Sequence, residues 1–211
     1  MDRLAAIAED IHQAFEARTS ARDHALSQAR TLTRHCANAI RSVHRNEFPA
    51  AEEQLQSASS IVVSLQSELD VYPDLYYAGY TQDALKEFAE ASIVFALTNE
   101  KDLPTPQELK LENPAYLNGL AEAVGEFRRR CLDILRVGYS QEAERLLQHM
   151  DDIYAVLMTM DYPNAITGGI RRQTDIARSI IERTRGDITL SLRQEHLEKS
   201  MAKLEQRLKE P

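Results

Sequence analysis

From Ile170 to Leu208 the chain runs for 39 residues without a proline and with one glycine, Gly186. Apolar residues recur along it at helical spacing: Ile170, Ile176, Ile180, Ile181, Ile188, Leu190, Leu192, Leu197, Met201, Leu204 and Leu208. Such a stretch has no β reading, because its period is that of a helix and not the alternation of a strand. The whole chain shares the pattern, with only 7 Gly and 7 Pro in 211 residues. An all-α protein follows, a bundle of six or seven helices, some of them very long. An isolated helix owes most of its stability to burial of one face. The tail carries more apolar surface than one small bundle covers, so partner subunits are expected to cover the rest. A plain coiled-coil tail is the alternative.

The first helix is expected from about residue 3 to Arg45, ended by Asn46 and Phe48-Pro49. A second spans Ala50 to about Leu69, VYPDLYYAGYTQ forms a turn, and a third runs from about Thr81 to Thr98. The polar loop NEKDLPTPQELKLENP holds one short helical turn at Pro106–Leu109. Pro114 suits the first turn of a fourth helix, which runs to about Val137. Ser140 to about Met158 is a fifth, DYPNAITGG a loop, and the last helix starts near Ile170 and is interrupted or weakened at Gly186. One domain, residues 1–211, is expected, with 187–211 as a helical extension. No segment approaches 18 uninterrupted apolar residues, and the N-terminus lacks the features of a signal peptide. The expectation is a cytoplasmic protein with no membrane partner. Cys36 and Cys131 sit in apolar helical patterns and read as small buried hydrophobes.

Three patterns bear on chemistry. In the third helix Asp83, Glu87, Glu90 and Val94 share an arc of about 60°. Leu85, Phe88, Ala89, Phe95 and Ala96 lie opposite, and the presence of Val94 among the carboxylates means that this face is not plainly solvent. In the fourth helix Leu117, Leu120, Val124, Cys131 and Leu135 form the apolar stripe, while Glu122, Glu126 and Asp133 share an arc of about 40°. If the pairs Glu87/Glu90 and Glu122/Glu126 faced one another, they would repel by several kcal/mol unless cations sat between them. Hard cations such as Mg²⁺ or Mn²⁺ take oxygen ligands of this kind, activate water and stabilise charge on a phosphoryl group. Charged residues at helical spacing also make ordinary solvated faces, and spacing alone leaves both readings open. The Glu-x-x-His pattern of a ferritin-like di-iron site is absent from both pairs.

The third pattern is basic. Arg30, Arg34, Arg41 and Arg45 span an arc of about 60° over roughly 22 Å of the first helix. That spacing suits a nucleic-acid backbone, and the planar guanidinium suits phosphate. A solvated, salt-bridged helix face is the alternative. The net charge of −8 argues against a nucleic-acid binder when taken whole, so the placement of the arginines matters more than the sum. Arg171–Asp175 and Arg178–Glu182 read as i,i+4 pairs. GGIRR could also set free N–H groups at a helix start against an anion.

LKEFAEA in the third helix resembles the acidic helix of Trax, the translin-associated factor X, and YLNGLAEAVGEFRRRC in the fourth resembles that family's other signature helix. The basic first helix and the later Arg-Arg-x-x-Asp helix fall in the expected order, so the resemblance covers about residues 10–188. It implies an all-α, translin-like bundle of about seven long helices that assembles into a closed, hollow homo-oligomer, an octamer being favoured. It also implies a metal-dependent endoribonuclease, with Glu87, Glu90, Glu122 and Glu126 as catalytic and Mg²⁺- or Mn²⁺-binding residues. Glu122 stands where the animal forms have Asp, which keeps the charge and lengthens its reach by one methylene. The implied partner is RNA, single-stranded or short duplex, with single-stranded DNA as a further one. Arg30, Arg34, Arg41 and Arg45 would hold the backbone with low sequence specificity. A hollow assembly could line its interior with these arginines while its exterior stays acidic. The alternative is a non-catalytic, translin-like binder of single-stranded RNA or DNA. The compact chain suits a prokaryotic, archaeal-type form, and the segment after Gly186 departs from the animal proteins.

Overall fold

The computed structural model describes residues 2–209, and among them there are helices and connecting turns but no strand. In chain order the helices are α1 (Asp2–His44), α2 (Phe48–Glu68), α3 (Pro73–Tyr76), α4 (Gly79–Thr98), α5 (Pro106–Leu109), α6 (Asn113–Leu135), α7 (Gln141–Leu157), α8 (Asn164–Thr167) and α9 (Ile170–Lys209). They group into two compact units: Met1–Phe95 with Pro104–Tyr116, and Ala96–Leu103 with Leu117–Pro211.

In the first unit α1 and α2 form an antiparallel pair. The reversal is set by Asn46, whose φ of 61° lies in the left-handed region that Asn tolerates better than most residues. Pro49 does not break the chain there. It sits in the first turn of α2, where a missing N–H costs nothing, so the helix begins at Phe48. Ala25, Ala29, Leu32, Cys36, Ala39, Ile40 and Val43 of α1 are buried, as are Ala51, Ala58, Val62 and Leu65 of α2. The alanines permit close approach, and each fully buried leucine or valine contributes about 1.5–3 kcal/mol. Gln28 Nε2 donates to Ser64 Oγ at 2.9 Å, and the His35 ring bonds Gln54 at 2.8 Å, which pins the register. The tyrosine-rich stretch contains the short helix α3, led by Pro73. Thr81 Oγ1 donates to the Leu75 carbonyl and Gln82 to that of Tyr76, so α3 runs closely into the start of α4 at Gly79. The α5 turn is closed by a capping box between Thr105 and Glu108. Hydrogen bonds from Thr105 hold the Glu108 carboxyl below its ordinary range.

In the second unit Phe127, Leu146, Met150, Ile153, Ile170, Ala177, Ile181 and Ile188 form the core. Ser140 caps α7 by accepting from the Glu142 N–H. Arg128 bonds both Thr184, at 3.0 Å, and Asp187, at 2.9 Å, while Arg130 pairs with Glu142 at 2.8 Å. The loop expected between α7 and α9 contains the short helix α8, ended by Gly168 at φ +65°. Gly186 neither interrupts nor ends α9, which is continuous from Ile170 to Lys209. One glycine costs a helix about 1 kcal/mol, and the buried Thr184 and Ile188 on either side outweigh that. Arg178 pairs with Glu182 at 3.0 Å as the spacing predicts. Arg171 does not pair with Asp175. Its guanidinium donates to Asp161 ahead of α8, because the Gly168-Gly169 reversal returns that loop to the start of α9.

Burial of α9 stops at Ile188. Leu190, Leu197, Met201, Leu204 and Leu208 are exposed, and so are Leu4, Ile7, Ile11 and Phe15 in the first half of α1. Both cysteines are free and buried, as their patterns predict. Among the described residues no helix is long and apolar enough to cross a membrane.

Candidate functional site

The site is carried by α4. From Phe88 to Thr98 every residue of this helix is buried, so its carboxylates enter a core rather than decorate a surface. Glu90 is 9% exposed and Glu87 is half-buried, whereas Asp83, one turn ahead, is exposed. Val94, which shares their arc, is 1% exposed. The same two glutamates act on Cys36, whose thiol is pushed well above its ordinary range by burial and then by the charges of Glu87 and Glu90. Lys86 Nζ lies 3.8 Å from Glu87 Oε1.

On α6, Glu122 and Glu126 are half-buried and Asp133 is exposed. Gln173 Nε2 of α9 donates to Glu122 Oε1 at 3.0 Å, while Glu126 pairs with Arg129 at 3.4 Å. Glu87, Glu90 and Glu122 each offer a carboxylate oxygen within 4.8 Å of the others. Three of the four sequence-predicted glutamates therefore come together, and Glu126 is not in that cluster. The donor set is all carboxylate oxygen, with no imidazole or thiolate, which is the chemistry that hard divalent cations select.

The four arginines present the opposite situation. Arg30, Arg34 and Arg41 are exposed on α1, and Arg45 is exposed in the turn that follows it. Arg41 bonds the Ala37 carbonyl and the Asn38 side chain, and among the described residues none of the four makes an ion pair. What the sequence reading missed is Gln173. It sits within the Arg-Arg-x-x-Asp stretch, but nothing in its own helix marks it as a neighbour of Glu122.

No protein-family model matches the chain. It is 33% identical over 194 residues to an uncharacterized protein of Methanocaldococcus jannaschii, covering 89% of this chain and 85% of that one. Among solved structures it is similar to the crystal structure of AfC3PO, an archaeal C3PO (translin/Trax), with 31% identity and a TM-score of 0.80 over 87% of this chain and 95% of that one. The chain belongs to the translin superfamily. The structure of the AfC3PO–duplex RNA complex matches this translin-superfamily chain at 30% identity and a TM-score of 0.79, with coverage of 87% and 95%. The crystal structure of apo-NeC3PO, from Nematostella, is 20% identical with a TM-score of 0.80 over 87% of this chain and 96% of its own, a likeness of fold alone.

Proposed function

We propose that this chain is a Trax-like subunit that binds RNA and cleaves its phosphodiester bonds at a divalent-cation site formed by Glu87, Glu90 and Glu122. The observation that carries this reading is the approach of the three carboxylates to within 4.8 Å of one another, with Glu90 buried. An all-oxygen donor set of this kind suits Mg²⁺ or Mn²⁺. When bound, such an ion would activate water and stabilise charge on the scissile phosphoryl group. Glu126, half-buried one turn beyond Glu122, is a further ligand or an outer carboxylate.

RNA is the partner that the arginine stripe fits. Four exposed guanidinium groups in register on α1, without ion pairs, can hold a phosphate backbone with low sequence specificity. The relative solved with duplex RNA supports the same partner class, and single-stranded DNA offers the same backbone chemistry. A homo-oligomer, with an octamer favoured, would cover the exposed apolar residues at the two ends of the chain and could turn the arginines inward. The second reading is a translin-like binder that does not cut. The stripe favours it on its own, since it accounts for binding without the carboxylates.

The deciding experiment is cleavage of a labelled single-stranded RNA with Mn²⁺, Mg²⁺ or EDTA, beside a Glu87→Gln/Glu90→Gln variant that still assembles. Metal-dependent cutting that the variant loses supports the nuclease. Salt-sensitive binding that survives EDTA, without cutting in either protein, selects the binding module.

A further inference from the structure

Burial along α9 follows one side of the helix. Ile170, Thr174, Ala177, Ile181, Thr184 and Ile188 are buried, and at about 100° per residue they share an arc of roughly 80°. Beyond Ile188 a second stripe begins on the other side. Leu190, Leu197, Met201, Leu204 and Leu208 are between 55% and 76% exposed. They lie within about 60° of one another and roughly 170° from the buried arc. A stripe that points away from its own core is not covered by extending the packing of that core.

The spacing of the stripe is a heptad. From Leu190 the steps are 7, 4, 3 and 4 residues, the a/d alternation of a coiled coil. Leu190, Leu197 and Leu204 fill the d positions, and Gln194, Met201 and Leu208 the a positions. A polar residue at one a position, here Gln194, fixes register. The pattern does not extend upstream, because the preceding a residue, Asp187, is held by Arg128 of the same chain at 2.9 Å. Glu195 and Lys199, at b and f, pair within the helix at 2.8 Å. Ser191, Gln194, Glu195 and Glu198 share a groove with the turn at 135–139, which leaves Leu190 and Leu197 exposed. Short isolated helices are marginal because nucleation is costly. Here the first half of α9 is already packed, so the tail extends a formed helix.

The flanking charges choose the orientation. Glu198 and Glu205 stand at e, and Arg193 and Arg207 at g. All four are exposed, and among the described residues none of them makes an ion pair. In a parallel pair each g residue faces the e residue of the partner's following heptad, so Arg193 meets the partner's Glu198, twice by symmetry. In an antiparallel pair e faces e and g faces g, whatever the register. That arrangement sets glutamate against glutamate and arginine against arginine.

We infer that residues 190–208 pair, parallel and in register, with the same segment of a second copy of this chain as a two-stranded coiled coil. This goes beyond the homo-oligomer of the proposed function by naming the segment, its partner and its direction, and it depends on neither the cation site nor RNA. Cysteines introduced one at a time into the full-length protein test it, since Cys36 and Cys131 are buried. A disulfide needs Cα atoms within about 7 Å of each other, a separation that only facing positions reach. In a glutathione redox buffer, Leu190→Cys and Leu204→Cys should each form a covalent dimer on non-reducing electrophoresis. Both should do so at least about tenfold faster than Gln206→Cys, an f position on the side opposite the stripe. Adding Arg193→Glu should slow the Leu204→Cys bridge, and adding Glu198→Arg as well should restore it. Equal rates in all three charge forms would overturn the parallel orientation. So would bridging between mixed Leu190→Cys and Leu208→Cys chains when neither bridges alone. Equal bridging at 204 and 206 would reduce the contact to chance collision and overturn the pairing. No bridging at any tail position would overturn it too and leave the tail to a different partner.

Discussion

The carboxylates of α4 and the arginines of α1 are both like-charge stripes at helical spacing, and their physical situations are opposite. Arg30, Arg34, Arg41 and Arg45 are exposed, so water screens them from one another and holding them in register costs little. Glu90 lies in a fully buried stretch of helix, with Glu87 half-buried at its edge. Desolvating a carboxylate costs free energy that its partners must offset. That contrast separates the candidate catalytic centre from the candidate binding face.

The strongest way to break the comparison is to remove charge from each stripe in turn. Glu87→Gln/Glu90→Gln should reduce metal-dependent RNA cleavage by at least about 100-fold, since two of the three proposed ligands lose their charge. Cleavage by the variant at the wild-type rate would remove α4 from the proposed active site.

Reversing charge on the other stripe should do the converse. Arg34→Glu/Arg41→Glu should weaken RNA binding at least about tenfold and reduce the slope of log affinity against log salt by about 2, measured by fluorescence anisotropy. Its melting temperature should not move. Unchanged affinity and slope would remove α1 from the nucleic-acid interface.

A smaller effect concerns the thiol beneath the carboxylates. Burial raises Cys131 to about 12 and, helped by Glu87 and Glu90, pushes Cys36 higher. The folded protein should therefore show almost no thiol titration by a disulfide reagent at pH 8, and both cysteines should react after unfolding. Rapid labelling of Cys36 in the native state would contradict the closed packing around α4.

The smallest effect lies away from both stripes. Burial, with the charge of Arg145, lowers the pKa of His149 from its ordinary 6.5. The unfolded chain then takes up a proton before the folded one does, so this contribution is complete above pH 6.5 and lost as pH falls below it. His149→Gln should flatten the fall in denaturation midpoint on the acid side of that value.

Much of this molecule is legible in its periodicity. The long helices, the buried cysteines and the buried character of the Val94 face follow from local spacing. The differences arise where local preference competes with packing or loop geometry. Pro49 reads as a breaker and is a first-turn residue, Gly186 reads as a weak point and is carried by its buried neighbours, and Arg171 turns away from Asp175 toward Asp161. The resemblance to Trax adds which glutamates to consider, and three of those four meet.

The sequence by itself determined which residues share a face of one helix, because a period of 3.6 places i, i+3 and i+4 together wherever the helix goes. That is why Glu87 with Glu90, and the four arginines, could be grouped without coordinates. Only the tertiary structure decided which faces of different helices meet. Glu122 joins Glu87 and Glu90 while Glu126, on the same arc, stays with Arg129, and Gln173 reaches Glu122 across 51 residues of chain. No periodicity carries that information, because it depends on the packing of whole helices and on a glycine turn that sets where the last one begins.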